Sequence, residues 1–399
     1  MSLSMSDCDA DIFVAGGGIA GRAAAAAFGW AGFRVICVDP APADRPGTAT
    51  DLRTTAFLQP ARALLERIGV WPLFAEAPAP LAVMRIVDAA GAPPVSRDFE
   101  AVDIGEAAFG WNLRNETIRA ALTARLDALP NVEMRHGVGF RSLLPREDMA
   151  HIRLSDGETL TARMVLACDG RDSAVREAAG IGARTIRYGQ KALSFAVTHP
   201  VPHDNVSTEI HRAGGPFTLV PLPDVAGQPA SAVVWMERGP EALRLSRLDR
   251  AAFEAAATER STGLFGPLSL VAGPQVWPII SRIADRLDGP RTALMGEAAH
   301  VVPPIGAQGL NMSLADLDAL LTLAAANPTG IGSRAMLADY NRQRHSEIAL
   351  RVAGIDALNR ASMSGNPALQ GLRRAGVQAF HDLVPVRKGL MRLGLGLGR

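Results

Sequence analysis

The sequence predicts an α/β fold, a Rossmann-type unit interleaved with an antiparallel β-sheet domain and followed by C-terminal helices. Three observations predict it. A glycine-rich turn joins a short apolar strand to an Ala-rich helix within residues 11–40. Two further strand-to-loop junctions lie far downstream, at 164–173 and 292–311. Between them, residues 188–238 alternate apolar and polar in β fashion.

The first junction reads DIFVAGGGIAGRAAAAAFGWAGFRVICVDP. Ile12 to Ala15 form the strand, and Gly16, Gly18 and Gly21 give G-x-G-x-x-G. Gly16 permits a tight turn, Gly18 lets a pyrophosphate approach the backbone, and Gly21 lets the helix pack on the strand. The helix runs to about Trp30, and a second strand, from Phe33, ends at Asp39. A carboxylate about 20 residues past the turn accepts from ribose hydroxyls and repels a 2′-phosphate. The pattern marks a dinucleotide site without separating NAD from FAD. A second complete fingerprint is missing: GIG at 180–182 follows a helix, and GLGLG at 394–398 precedes none.

The second junction is ARMVLACDGRDSAVREAAGI, residues 162–181. Met164 to Ala167 read as a buried strand that ends in Asp169-Gly170, and Ser173 opens a helix containing Arg176. A carboxylate at that strand end suits a ligand, while Asp172 or Ser173 suits a helix cap, and both readings stand. The third junction is TALMGEAAHVVPPIGAQGLN. A strand leads into Gly296 and Glu297, and an uncharged loop then crosses in front of a helix beginning near Leu310. Free N–H groups and the positive end of that helix favour an anion. A reduced flavin carries negative charge on its pyrimidine edge. The prolines stiffen the loop, and the glycines let backbone approach a ring.

The rest divides accordingly. Residues 1–80, 101–180 and 276–345 are expected to form the dinucleotide domain. Residues 81–100 and 181–275 form a substrate domain, and 346–399 a C-terminal helical region. A polar helix is expected over 245–263 and a long amphipathic helix over 333–363. The tail 371–399 carries six Lys/Arg against one acid, with apolar Leu372, Val377, Phe380, Leu383 and Val384 interspersed. Its glycines and Pro385 are expected to break any long helix.

Composition excludes several classes. A net charge of +1 over 399 residues argues against nucleic-acid binding. Three cysteines, Cys8, Cys37 and Cys168, argue against a disulfide framework and for a reducing, cytoplasmic setting. MSLSMSDCDAD has no basic n-region, and no run of about 18 apolar residues exists. Glu297-x-x-His300 has one half of a di-iron spacing without a second half, so no metal is expected. His199, His203 and His211 lie in strand-rich sequence and read as sheet residues rather than a triad.

In order and spacing, the three junctions resemble the single-component flavoprotein aromatic hydroxylases, which share a p-hydroxybenzoate-hydroxylase-like fold. Within them the chain most resembles the ubiquinone-biosynthesis hydroxylase family. AHVVPPIGAQGLN carries the most specific likeness; VICVDPAP, DLRTTAF, FGWNLRN, DGRDSAVREAAGI, LADYNRQRH and VPVRKGLMRLGLG add to it. The resemblance implies FAD, with Gly16, Gly18, Gly21 and Asp39 on its adenosine diphosphate half. It implies that Arg53 and Asn115 approach the flavin or its phosphates, and Asp169 and Gly170 the pyrophosphate. Gly296 and Glu297 match a Gly-Asp element on the ribitol, the Glu being one methylene longer. Pro304 matches a proline beside the reactive face, where it and Arg53 are the candidate catalytic residues; Leu310 and Asn311 match backbone contacts at the pyrimidine end, and Gly309 before them is a further cofactor-binding candidate. The implied reaction uses NAD(P)H as a transient reductant, O2, and a flavin peroxide that oxygenates a polyprenylated phenol. Two readings of the tail stand: it touches the inner face of a membrane, or it packs on the Rossmann domain with its charges solvated; a biosynthetic complex is a further expected partner. Two other readings are a hydroxylase of a small soluble aromatic acid and a non-catalytic flavin-binding scaffold subunit.

Overall fold

The computed structural model describes residues 8–43, 53–74, 78–89, 91, 93–366, 370–371, 376, 378 and 381–395. Asp51 and Leu52 of the DLRTTAF segment, and Leu372, Val377 and Phe380 of the tail, lie outside them.

The N-terminal apolar run forms the strand Ala10–Ala15, every residue of it buried. It is flanked by two parallel neighbours, Val35–Asp39 and Thr159–Ala167. Thr292–Leu294 extends the parallel set beyond Thr159–Ala167, and Val132–His136 extends it beyond Val35–Asp39. Register aligns the carboxyl ends: Ala15 pairs with Val38 and Ala167, and Ala167 with Leu294. Three segments separated by more than a hundred residues therefore deliver their loops to one edge of one sheet. Ligands bind there in open α/β folds.

Small side chains bring the first helix onto that sheet. Ile19–Trp30 carries Ala23 to Ala27 and Phe28, all at most 1% exposed. The loop helix Gln308–Ala326 joins the same core through Leu314, Leu317 and Leu320.

The alternating segments form a second, eight-stranded sheet. Ala183–Thr198, Val206–Arg212, Gly215–Val225, Gln228–Arg238 and Ser269–Ala284 belong to it, and Val83–Asp88 and Val95–Glu100 close one edge. Residues 83–100 reach it by the parallel pairing of Val83–Asp88 with Val206–Arg212. A third, three-stranded sheet, Thr54–Leu58, Gly110–Arg114 and Ala79–Leu81, packs on the antiparallel sheet, where Asn112 Nδ2 donates to the Pro221 carbonyl at 3.0 Å. Two elements run through boundaries expected from sequence: Ser269–Ala284 crosses 275/276, and the 30-residue helix Arg334–Met363 crosses 345/346. The helix expected over 245–263 is two helices, Gly239–Leu245 and Arg250–Arg260, the second capped by Asp249.

The tail carries a short helix, within the helical region expected over 346–399. Val384–Leu395 is helical despite Pro385, Gly389 and Gly394. Pro385 sits in the first turn, where its missing N–H would have no intrahelical partner. Met391 and Leu395 are buried against Leu58, Ala101 and Phe109, which offsets the glycine cost. Arg387 pairs with Asp103 at 3.2 Å.

Candidate flavin and substrate site

The three glycines of the first turn have different reasons. Gly16 has φ +99°, and a Cβ there would sit 2.4 Å from the Cys168 carbonyl oxygen. A Cβ on Gly21 would lie 1.8 Å from the Gly16 oxygen. Both are required by the protein's own packing. A Cβ on Gly18 would meet nothing within 4 Å. Its glycine is explained by a ligand that lies against the backbone, so the turn fits a dinucleotide diphosphate.

The three junctions touch. Gly16 packs on the Cys168–Asp169 backbone, and Gly296, at φ +60°, sits between Ala20 of the first helix and Ser313 of the loop helix. The Asp39 carboxylate accepts from Gly17 N–H at 2.6 Å and Ala41 N–H at 2.8 Å, which locks the turn beside it. Beneath the turn, burial, with the Asp39 charge adding to it, pushes the Cys37 thiol up to about 12. Asp169 turns inward: it accepts from Ser173 Oγ at 2.5 Å and Val175 N–H at 3.0 Å, while Ser173 caps Arg176 N–H. The capping reading of that segment is realised in full. What Asp169 and Gly170 (φ +86°) present outward is backbone.

The loop helix starts unusually. Gly306 and Ala307 both take the left-handed region, at φ +63° and +55°, and no side chain caps the helix. A left-handed Ala is strained, and such outliers cluster at ligand sites. Gly309 is exposed, with open space around its α-carbon, and Leu310 follows half-buried. The Asn311 side chain points into the protein, which leaves its backbone toward the loop. Its Oδ1 accepts from Leu58 N–H at 2.9 Å, and its Nδ2 donates to the carbonyls of Ala56 and Ala307 at 2.7 Å each. The side chain thus pairs with the strand Thr54–Leu58 as a neighbouring strand would. Gln308 and Arg351 brace the same loop: Gln308 donates to the Gly306 carbonyl, and Arg351 donates to Gln308 Oε1.

A cavity of about 240 Å³ opens between this edge and the antiparallel sheet. Arg53, Asn115, Glu297 and Pro304 line it together. Arg53 lies over the Trp277 ring at 4.9 Å, and its carbonyl accepts from Asn115 N–H at 3.0 Å. The Asn115 Oδ1 accepts from Thr55 at 2.9 Å. Glu297 is exposed and pairs with Arg171 at 3.2 Å. The opposite wall is Ala192, Ser194, Ala232, Val234 and Ile279. Gly16, Gly18, Gly21, Asp39, Asp169, Gly170, Gly296, Gly309, Leu310 and Asn311 frame the edge without lining the cavity.

Behind the loop lies a buried charge cluster that sequence reasoning missed. Asp316 is fully buried and accepts from His300 Nε2 at 2.6 Å and Arg344 Nε at 2.9 Å. Arg344 also donates to Glu347 at 2.5 Å. Burial works against the Arg344 charge, but Asp316 and Glu347 outweigh it and hold the guanidinium above its usual value. The signal available was a charged pair in otherwise apolar helix faces. His199 meets Ser231 at 2.9 Å, but its other nitrogen meets the Val201 carbonyl, so no acid completes a triad.

Residues 9–353 match the FAD binding domain family model. The chain is 31% identical to a ubiquinone hydroxylase of Rhodospirillum rubrum, over 98% of this chain and 90% of that protein. This chain belongs to the FAD-dependent monooxygenase family that includes the ubiquinone hydroxylases. It is also 26% identical to the 3-demethoxyubiquinol 3-hydroxylase of Escherichia coli, over 98% of this chain and all of that protein. Among solved structures, p-nitrophenol 4-monooxygenase from Pseudomonas putida DLL-E4 shares the fold, with TM-score 0.79 at 19% identity, over 96% of this chain and 98% of that one. The protein is therefore an FAD-dependent aromatic monooxygenase.

Proposed function

We propose that this monooxygenase hydroxylates the ring of a polyprenylated phenol in ubiquinone biosynthesis. The carrying observation is the sheet-side wall of the cavity. Ala192, Ala232, Val234 and Ile279 are uncharged, and Ser194 supplies a single hydroxyl. The cations of the cavity, Arg53 and Arg171, stand on the other side with Glu297. Such a wall accepts an apolar ring with one polar substituent and gives a substrate carboxylate no buried partner. This favours the lipid phenol over a small aromatic acid.

What FAD supplies when bound is hydride acceptance and activation of dioxygen. The chain supplies the rest. Gly18 admits the diphosphate to the backbone, and Asp39 fixes the turn and faces the ribose. Glu297, held by Arg171, would hold the ribitol of bound FAD. The uncapped N–H groups at the start of Gln308–Ala326 would receive the pyrimidine edge of bound FAD and favour negative charge on it. Asn311 holds that helix start against the strand that follows Arg53. Pro304, with Val301 and Val302, keeps water from the reacting face, and Ser194 orients the phenol hydroxyl. Leu383, Val384 and Val386, 56%, 46% and 39% exposed, stand beside Lys388 and Arg392 and form a membrane contact. No described helix is long and apolar enough to cross a membrane.

Titration of the FAD-loaded protein tests the substrate class. A prenylated phenol is expected to perturb the flavin absorbance at lower concentration than the same phenol bearing a carboxylate in place of its tail. The reverse order overturns the assignment.

A further inference from the structure

A second cavity, of about 350 Å³, lies beside the first and shares Arg171, Pro278, Ile279 and Ile280 with it. Its character is different. Arg187, Lys191 and Arg282 add to Arg171, with Asp172 as the opposing carboxylate. Asp172 is engaged by Arg282 at 3.1 Å, and Arg171 by Glu297 at 3.2 Å. Arg187 and Lys191 make no ion pair among the described residues. Two uncompensated cations therefore face a cleft that runs into the flavin cavity.

A bulge brings these two cations together. Arg187 pairs with Ile280 and Lys191 with Pro278, so the partner strand advances two residues while this strand advances four. The spacing falls from about 13 Å to about 7 Å. Gly189, at φ +69°, makes the excursion possible. Bulges of this kind re-aim side chains next to active sites.

We infer that this basic cleft binds the diphosphate of the nicotinamide dinucleotide that reduces the flavin. The inference rests on the functional reading above, which needs such a reductant, and the chain has one dinucleotide fingerprint, already used by FAD. Two cations carried on backbone positions about 7 Å apart can bracket a diphosphate, and the shared wall at Pro278–Ile280 leads the nicotinamide end toward the flavin cavity.

ADP-ribose carries the diphosphate without a reducible ring, so calorimetric titration of it into FAD-loaded protein tests the cleft. The double variant Arg187→Gln, Lys191→Gln is expected to bind ADP-ribose at least tenfold more weakly, with a shallower salt dependence. Arg153→Gln, exposed and paired across from Thr159 at the opposite end of the parallel sheet, is the control and is expected to leave binding unchanged. In anaerobic reduction the half-saturating concentration of reduced nicotinamide rises by the same factor, while FAD content and the limiting rate hold. Unchanged ADP-ribose affinity in the double variant overturns the inference, as does a loss confined to anionic phospholipid vesicles. Failure of reduced nicotinamide to reduce the wild-type flavin counts against the functional reading, and ADP-ribose binding still decides the cleft.

Discussion

Gly18 and Gly21 are three residues apart in one turn, yet they answer to different constraints. Gly18→Ala places a methyl in open space, so the apoprotein is expected to fold with an unchanged melting temperature and to lose FAD affinity. Gly21→Ala drives a methyl into the Gly16 carbonyl and is expected to destabilise the fold itself. Thermal melts beside FAD titrations separate the two; equal loss of stability in both removes the diphosphate argument. A buried charge gives the largest single-residue effect. Asp316→Ala strands Arg344 and His300 in the core, which costs about 3–5 kcal/mol. Urea unfolding checks this, and a loss below about 1 kcal/mol contradicts it. Cys37 makes a simpler test. Its thiol, pushed up to about 12, stays protonated at neutral and mildly basic pH, so iodoacetamide is expected to spare it until the protein unfolds.

Local elements were legible where local chemistry dictates them. The strand, glycine turn and Ala-rich helix at 10–30 follow from periodicity and glycine spacing, as does the 30-residue helix opened by the Ser333 cap. The Asn311 staple was not legible, because Leu58 and Ala56 are 253 and 255 residues away and nothing in the loop names its partner strand. The left-handed Ala307 was hidden for the same reason: tertiary contacts impose a conformation that alanine disfavours. A helical C-terminal region was legible, but not where its short tail helix docks, because the burial of Met391 and Leu395 against Leu58 and Phe109 is a long-range contact. The staple carries a prediction. Asn311→Ala removes three hydrogen bonds between the loop helix and Ala56, Leu58 and Ala307, each contributing about 0.5–1.5 kcal/mol. The helix start then drifts from the pyrimidine edge, so the flavin midpoint potential is expected to fall as the anionic reduced form loses its donors. A potential that does not move removes the helix dipole from the mechanism.

The parallel sheet gathers three distant loops along one edge, and the antiparallel sheet supplies the wall across from them, so cofactor and substrate meet between two separately built layers. The tail helix packs near this junction through Leu58 and Phe109. Deleting it would therefore uncover core surface, and point changes are the cleaner test of membrane contact. Leu383→Asp with Val386→Asp is expected to reduce binding to anionic liposomes while FAD content and melting temperature hold; retained binding moves the contact elsewhere. The most direct measurement of what the molecule does follows the oxygen atom. FAD-loaded protein, reduced nicotinamide, a polyprenylated phenol precursor of ubiquinone and isotopically labelled O2 are incubated together, and the product is weighed by mass spectrometry. One labelled oxygen on the aromatic ring, with little or none on a tail-less phenolic acid, is the expected result. An unlabelled ring, or labelling of the tail-less acid alone, contradicts it.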